Sequence, residues 1–124
     1  MPNVLVVDDS ETVRTQLRND LTEQGYQIFE AGNGVDALKF LIQWEQPIDL
    51  IFCDINMPEM DGLSLCRELH KDQSLARIPI FMLTTQTNSE MKQLGKENGV
   101  IAWIVKPYEK KKVMNGVAKV LGIA

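Results

Sequence analysis

The 124-residue chain has little of what several large classes of protein require. It contains only two cysteines, Cys53 and Cys66, and a single histidine, His70. Neither a disulfide framework nor a zinc site can be built from so few residues at these spacings. We therefore expect both cysteines to be reduced core residues and His70 to be a surface residue.

Long apolar runs are also missing. Every apolar stretch is too short to cross a bilayer, and the first residues, Met1-Pro2-Asn3, lack the charged region and the long apolar stretch of a signal peptide. We therefore expect a cytoplasmic protein that has no contact with a membrane.

The chain has no excess of positive charge. Its net charge of −4 argues against general nucleic-acid binding. The basic residues are concentrated in residues 90–124, which predicts either a basic face for an acidic partner or a pair of solvated helices, and we favour the solvated helices. The length, with 44% hydrophobic and 24% charged residues, is that of one domain that buries its own core. We expect a single domain over residues 1–124 with no effector domain.

The most informative stretch runs from residue 48 to residue 62, IDLIFCDINMPEMDG. Its apolar half has the composition of a strand that is buried on both faces, and this half ends at Asp54. Pro58 and Gly62 then indicate a turn, and Asp61 can cap a following helix. The pattern places a carboxylate at the carboxyl end of a buried strand.

Three other apolar runs also end at polar residues. The runs at residues 4–7, 78–83 and 100–105 are followed by Asp8 and Asp9, by Thr84 and Thr85, and by Lys106. A weaker run at residues 26–30 has the mixed polarity of an edge strand. These positions mark the ends of five predicted strands.

Five predicted strands alternate with five predicted helices, the first of which Ser10 can cap. This alternation predicts an α/β fold with a five-stranded parallel sheet, right-handed crossovers and helices on both faces. The fourth helix, which begins at Asn88 or Ser89, has few apolar residues, so we expect it to be exposed and mobile. Ligands of open parallel sheets bind outside the carboxyl ends of the strands, where Asp54 and the polar residues that end the other apolar runs converge.

Three carboxylates at one sheet edge repel one another. Two charges ~5 Å apart cost about 3 kcal/mol at an effective dielectric constant of ~20, so a cation must lie among them. Oxygen ligands without nearby His or Cys favour Mg²⁺. We expect Asp9, Asp54 and the backbone carbonyl of Asn56 to bind the ion directly and Asp8 to orient a coordinated water. The alternative, in which the acids only cap helices, explains Asp8 or Asp61 but not the convergence.

A metal-bound aspartate can act as a nucleophile toward phosphorus and form an aspartyl phosphate. Lys106 would then offer a second positive charge, and Thr84 would offer a hydroxyl to a phosphoryl oxygen. Movement of Thr84 toward the site would vacate space into which Trp103 could turn, and the outer face would report phosphorylation. The alternative for Trp103 is simple core packing.

These segments resemble the receiver domain of two-component response regulators, and most closely the single-domain chemotaxis regulators of the CheY-like type. The resemblance covers essentially the whole chain. It rests on Val7-Asp8-Asp9-Ser10, on residues 54–62, on Leu83-Thr84-Thr85 and on residues 103–108, WIVKPY. It implies the flavodoxin-like strand order 2-1-3-4-5 and a cis peptide bond before Pro107.

The resemblance also implies a role for each matching residue. Asp54 is implied to be the phosphoacceptor, Asp8 and Asp9 the acid pair, Lys106 the phosphoryl contact, and Thr84 with Trp103 the switch pair. Two positions depart from the best-known chemotaxis pattern: Trp103 stands where Tyr is usual, and Gln86 stands where Glu is common. Gln86 and Asn56 are expected to position the water that hydrolyses the acyl phosphate.

The function implied is that of a stand-alone response regulator and not of an enzyme. It would take a phosphoryl group from a CheA-like sensor histidine kinase in a Mg²⁺-dependent reaction. As a monomer, it would then bind a target protein through the fourth helix, fifth strand and fifth helix, for instance a flagellar motor component in chemotaxis. A phosphorelay intermediate, a phosphate sink and a phosphorylation-independent adaptor are the alternatives.

Particular residues argue against two other functions of this fold class. A phosphatase with an aspartate nucleophile would need two acids one residue apart at the end of the first strand, whereas Asp8 and Asp9 are adjacent. A flavodoxin-like cofactor carrier would need a first loop that binds phosphate, which these two carboxylates would repel.

Overall fold

The structure, a computed structural model, describes residues 1–85 and 87–122. Strands and helices alternate along the chain. The strands are β1 (Asn3–Val7), β2 (Gln27–Ala31), β3 (Leu50–Asp54), β4 (Ile80–Thr84) and β5 (Val100–Val105). The helices are α1 (Glu11–Glu23), α2 (Gly34–Gln43), α3 (Gly62–His70), α4 (Ser89–Glu97) and α5 (Lys110–Val120), and a 3₁₀ helix, Leu75–Arg77, precedes β4.

The strands form one parallel sheet in the order β2-β1-β3-β4-β5, which confirms the predicted architecture and order. Every residue of β1, β3 and β4 is buried, because each of these strands lies between two others and under helices on both faces. Their continuous apolar sequences follow from this position. β2 lies at one edge and is only partly buried, as its mixed polarity predicts.

Two apolar layers lie on the two faces of the sheet. Successive residues of a strand point to opposite faces, so Val4 and Val6 belong to one layer and Leu5 and Val7 to the other. The first layer is completed by α1 and α5, and the second by α2 and α3. Cys53 and Cys66 are buried as free thiols in the second layer, and His70 is exposed, which confirms both expectations.

The sheet begins later in β4 than the apolar run predicts. The run starts at Ile78, but the Ile78 N–H donates to the Leu75 carbonyl at the end of the 3₁₀ helix, and Pro79 has no N–H to donate. The strand therefore starts at Ile80 and includes Thr84 as its last residue. Asp54 is the last residue of β3, at the carboxyl end of the strand, as the sequence predicts.

Side-chain caps determine where the first four helices begin. Ser10, Asn33, Asp61 and Asn88 each accept a hydrogen bond from the N–H three residues further on. The caps at Ser10 and Asp61 confirm the sequence prediction. Because α1 and α3 follow β1 and β3 closely, the beginnings of both helices lie at the edge where these strands end. Gly95 is the buried residue of α4, so this helix is exposed as predicted.

Within residues 1–85 and 87–122, no helix combines the length and the hydrophobicity that a membrane span requires.

Candidate metal and phosphoryl site

Three aspartates meet at the carboxyl ends of β1 and β3. One carboxylate oxygen from each of Asp8, Asp9 and Asp54 lies within 4.8 Å of the other two. The strands bring them together because Val7 and Cys53 are partners in the parallel register. Asp8 and Asp54 are buried, whereas Asp9 is exposed. The group of carboxylates therefore has a buried side and a side that is open to solvent.

Lys106, which follows β5, reaches this carboxylate group. Its ammonium nitrogen lies 2.8 Å from Asp8 Oδ2 and 3.1 Å from Asp54 Oδ1. Its backbone N–H donates to the Thr84 carbonyl at 2.7 Å, so the end of β4 positions the lysine backbone. The peptide bond to Pro107 is cis, as the resemblance implies. One ammonium group leaves the charge of the carboxylates only partly compensated.

The electrostatics of Asp54 reflect this excess of negative charge. The pKa of Asp54 is raised from 3.8 to about 6, first by burial and then by repulsion from Asp8, although Lys106 acts in the opposite direction. Burial alone would lower the pKa of Lys106, but the hydrogen bonds to Asp8 and Asp54 outweigh it and raise that pKa above 10.5. The site thus favours the approach of further positive charge.

The donor set fits a magnesium ion. Carboxylate oxygens are hard ligands, and one or two carboxylates with water molecules are the usual protein ligands of Mg²⁺. Asp8 already has both oxygens engaged, because Oδ2 faces Lys106 and Oδ1 accepts from the Ser10 N–H at 2.9 Å. Asp8 is therefore better suited to orient a metal-bound water than to bind the ion, whereas Asp9 and Asp54 can bind it. The carbonyl of Asn56 as a ligand stays a prediction.

The loop between β3 and α3 is tightly held. The Ile55 N–H donates to the Leu83 carbonyl and the Gly62 N–H to the Ile55 carbonyl, both at 3.0 Å. A Cβ on Gly62 would collide with the carbonyl oxygen of Asp54, so this position requires glycine. Asp61 accepts from the Ser64 N–H at 2.8 Å and is exposed. Asp61 therefore caps α3 and lies outside the carboxylate group.

The residues of the predicted switch lie on the neighbouring strands. Thr84 is buried at the end of β4 beside Lys106. Trp103 pairs with Met82 across β4 and β5 and packs half-buried against the layer that α2 and α3 cover. Core packing thus describes Trp103 in this structure, and its movement on phosphorylation stays a prediction. Gln86 lies outside the described residues.

Three contacts involve Arg14 and Tyr108, for which the sequence predicted no role. Arg14 Nη1 donates to the backbone carbonyl of Asp8 at 2.6 Å, and Arg14 Nε donates to Glu30 at 3.3 Å. The Tyr108 hydroxyl donates to a carboxylate oxygen of Asp20 at 2.6 Å. The sequence gives a signal for Arg14 alone. Arg14 is a basic residue in the first turn of a helix, where the helix dipole disfavours a cation, so its position suggests a role other than helix stability.

Comparison with known proteins gives a consistent result. A family model described as the response regulator receiver domain matches residues 4–118. The chain is 35% identical to chemotaxis protein CheY1 of Helicobacter pylori, over 96% of both chains, and 33% identical to protein PilH of Pseudomonas aeruginosa, over 98% of both. It spans about half the length of several transcriptional regulators that it also matches.

Solved structures with the same fold include the chemotaxis protein CheY4 of Vibrio cholerae. Its TM-score with this chain is 0.89 at 34% sequence identity, and the superposition covers 97% of this chain and 98% of that one. The likeness therefore extends over both core layers and over the edge of the sheet where the carboxylates meet.

Proposed function

The chain belongs to the response regulator receiver domain family, and from this premise we propose that it is a signalling switch phosphorylated on Asp54. The observation that carries the proposal is the group formed by Asp8, Asp9 and Asp54 with Lys106 Nζ 2.8 and 3.1 Å from two of them. Such a site offers a nucleophile, ligands for a divalent cation and a fixed positive charge within one cluster.

The positions of these groups support the following transfer. An oxygen of the Asp54 carboxylate attacks the phosphorus of a phosphohistidine on a sensor kinase. The new O–P bond forms as the P–N bond breaks, and the electron pair of that bond stays on the imidazole nitrogen, which takes up a proton from solvent. Mg²⁺ held by Asp9, Asp54 and the carbonyl of Asn56 would neutralise charge on the phosphoryl oxygens.

The surrounding residues hold the transferred group. Lys106 exchanges its contact with the Asp54 carboxylate for a contact with a phosphoryl oxygen, and the Thr84 hydroxyl donates to another. Asn56 and Gln86 are proposed to position the water that later removes the group. Since Asp54 is itself modified and must be restored, we propose that the protein is a phosphoacceptor and not an enzyme.

We propose that the phosphorylated protein binds its target through the surface formed by α4, β5 and α5. On β5, Ile101 and Val105 are 54% and 53% exposed on either side of Trp103, and Lys111 and Lys112 are exposed on α5. Trp103, Val105 and Lys112 line one surface groove, and apolar side chains beside a cation fit a protein partner that presents apolar and acidic side chains.

Similarity to chemotaxis proteins favours one signalling pathway for the chain. Similarity to CheY1 and CheY4 supports chemotaxis, with a CheA-like kinase as the donor and a flagellar motor component as the target of a cytoplasmic monomer. A phosphorelay intermediate would instead pass the phosphoryl group on to a histidine of another protein. Incubating the phosphorylated chain with a histidine phosphotransfer domain distinguishes these two roles.

Incubation with acetyl phosphate tests the phosphorylation site. Intact-mass measurement should show addition of one phosphoryl group in the presence of Mg²⁺ and none after EDTA treatment or in Asp54→Asn. Asp61→Asn is the matched control, because it removes an equivalent charge outside the carboxylate group and asparagine also caps helices. Undiminished phosphorylation of Asp54→Asn would overturn the assignment, and a chain that is never modified would be an adaptor.

Fluorescence tests the switch. Beryllofluoride, a mimic of the aspartyl phosphate, should change the emission of Trp103 in a Trp44→Phe background when Mg²⁺ is present, and Asp54→Asn should abolish the change. Emission that does not respond in the intact site would remove Trp103 from the switch.

A further inference from the structure

Arg14 connects the edge of the sheet to the loop that carries the acid pair. It lies in the first turn of α1, and its guanidinium folds back so that Nη1 donates to the Asp8 carbonyl at 2.6 Å. Its Nε faces Glu30 of β2 at 3.3 Å, and the other oxygen of Glu30 accepts from Arg18 at 2.8 Å. The guanidinium of Arg14 is thus held by Glu30 as well as by the Asp8 carbonyl.

This hydrogen bond acts on the peptide unit that joins Asp8 to Asp9. The other polar groups of Asp8 are also engaged, since its N–H donates to the Ala31 carbonyl at 3.1 Å and its carboxylate faces Ser10 and Lys106. Asp9 is different, because it is exposed and the side-chain hydrogen bonds of the described residues do not include its carboxylate. Among the described residues the Asp9 carboxylate is therefore constrained through its backbone, and Arg14 contacts the peptide unit that precedes it.

Helix stability does not account for the position of Arg14. A cation near the beginning of a helix interacts unfavourably with the helix dipole. A salt bridge to Glu30 alone could be made by Arg18, which does so with a more exposed side chain. The contact with the Asp8 carbonyl is what distinguishes Arg14 from Arg18.

We propose that Arg14 is a positioning residue for the metal site, which holds the Asp8–Asp9 peptide so that the Asp9 carboxylate is directed at the cation. Glu30 orients the guanidinium for this role. The role of Arg14 rests on the proposed Mg²⁺ site and adds to it a residue on the α1–β2 side. Outer residues that orient metal ligands change metal affinity by about 10- to 100-fold when they are removed.

The direction in which Mg²⁺ affinity changes when Arg14 is replaced distinguishes a positioning role from a purely electrostatic one. Arg14 is a cation near a cation site, so by charge alone its removal would strengthen Mg²⁺ binding. Positioning requires the opposite, because a freed Asp8–Asp9 peptide must be ordered again when the ion binds. A weakening of Mg²⁺ binding therefore cannot come from the lost charge.

Isothermal titration with Mg²⁺ alone tests this role in Arg14→Met, with Arg18→Met as the matched control. Both changes remove one positive charge and one contact with Glu30, but only Arg14→Met removes the contact with Asp8. We expect about tenfold weaker Mg²⁺ binding for Arg14→Met and unchanged or slightly tighter binding for Arg18→Met. Arg14→Lys, which keeps a charged donor of similar reach, should recover part of the affinity.

The remaining outcomes overturn the role. Mg²⁺ binding by a folded Arg14→Met at the affinity of the unaltered chain or better would show that the contact does not position Asp9. Equal weakening in Arg14→Met and Arg18→Met would assign the effect to Glu30 pairing alone. If Arg14→Met does not fold, Arg14→Gln takes its place in the same comparison, and Mg²⁺ binding by folded Arg14→Gln as tight as that of Arg18→Met overturns the role. Failure of the unaltered chain to bind Mg²⁺ would instead overturn the proposed function.

Discussion

Gly95 of α4 lies directly against the indole of Trp103. A Cβ placed on Gly95 would be 2.6 Å from Trp103 Cζ2, well inside van der Waals contact, and 3.2 Å from the Cβ of Val100. Gly95 is also the buried residue of α4, so the helix meets β5 where it has no side chain. The positions of α4 and of the indole are linked at this contact.

Gly95→Ala should move the indole outward. Alanine favours the helix by about 1 kcal/mol relative to glycine, but overpacking of the contact costs roughly 1–3 kcal/mol. We expect a net loss of about 1 kcal/mol in the free energy of unfolding, together with red-shifted Trp103 emission in a Trp44→Phe background. Denaturant titration and fluorescence spectra measure both.

Gly116→Ala in α5 is the matched control. The nearest atoms to a Cβ at Gly116 belong to the Phe81 ring at 3.9 Å, which is ordinary contact. This variant should gain up to about 1 kcal/mol of stability without a change in Trp103 emission. A Gly95→Ala protein that is stabilised equally, with unchanged emission, would contradict the close contact.

Asp54→Asn should stabilise the metal-free protein at neutral pH. The folded-state pKa of Asp54, about 6, lies above its ordinary value of 3.8, so the folded chain holds the proton more tightly than the unfolded chain. The free energy of unfolding therefore falls as the pH rises from 3.8 through 6, and stays lower above that range. A shift of this size corresponds to about 1–3 kcal/mol, once screening by solvent at the open side of the site is allowed for.

Asparagine at position 54 does not ionise, and this sets the expected pH dependence. In EDTA, the stability advantage of Asp54→Asn should be largest at pH 7 to 8 and should shrink toward pH 4. Chemical denaturation at a series of pH values measures the difference between the two proteins. A difference that is independent of pH would show that burial and repulsion from Asp8 do not raise the pKa of the Asp54 carboxyl group.

The sequence predicts the layers of the fold and the members of the site because both depend on short-range patterns. Buried parallel strands require continuous apolar runs, and the polar residue at which such a run ends marks the carboxyl edge. Asp54 and Lys106 could be placed in this way. The strand order needed the family resemblance, since these runs do not encode which strand lies beside which.

The convergence of Lys106 with the aspartates could be predicted, but the particular side chains that pair across long stretches of chain could not. The pairing of Lys106 with Asp8 joins residues 98 positions apart, and the pairing of Tyr108 with Asp20 joins residues 88 apart. Arg14 acts through a backbone carbonyl, an acceptor that every residue carries, so no pattern of side chains points to it. The start of β4 depended on a hydrogen bond of Ile78 that only the 3₁₀ helix provides.

Lys106→Met should destabilise the metal-free protein and make it more dependent on Mg²⁺. The change leaves the buried Asp8 carboxylate without its ammonium partner, and breaking a buried ion pair costs several kcal/mol; because Lys106 is partly exposed, we expect about 2 kcal/mol. Loss of a competing cation should also tighten Mg²⁺ binding, so saturating Mg²⁺ should restore more stability than in the unaltered chain.

Thermal unfolding with EDTA and with Mg²⁺ measures both effects in the Lys106→Met protein. Lys71→Met is the control, since Lys71 pairs with Glu68 on the surface and should change stability little. If Mg²⁺ stabilises Lys106→Met less than it stabilises the unaltered chain, the lysine assists cation binding and does not compete with it.

Tyr108→Phe should loosen the segment that follows Lys106 and Pro107. The Tyr108 hydroxyl donates to Asp20 of α1 at 2.6 Å, so this bond ties the end of β5 to the first helix. A hydrogen bond to a charged group contributes about 1.5–3 kcal/mol, and we expect about 1–2 kcal/mol here because the pair is partly exposed. A double-mutant cycle with Asp20→Asn measures the coupling between these side chains.

The pH dependence of this loss identifies the hydroxyl as its source. Burial, and then the hydrogen bond and charge of Asp20, raise the pKa of Tyr108 above its ordinary value of 10.0. A group whose pKa is raised on folding contributes stability that is complete below the unfolded-state pKa and is lost as the pH rises beyond it. The difference in stability between the unaltered chain and Tyr108→Phe should therefore be constant from pH 7 to 9 and decrease above pH 10. A constant difference across the whole range would show that the hydroxyl titrates alike in the folded and unfolded chains, and so would contradict its burial against Asp20.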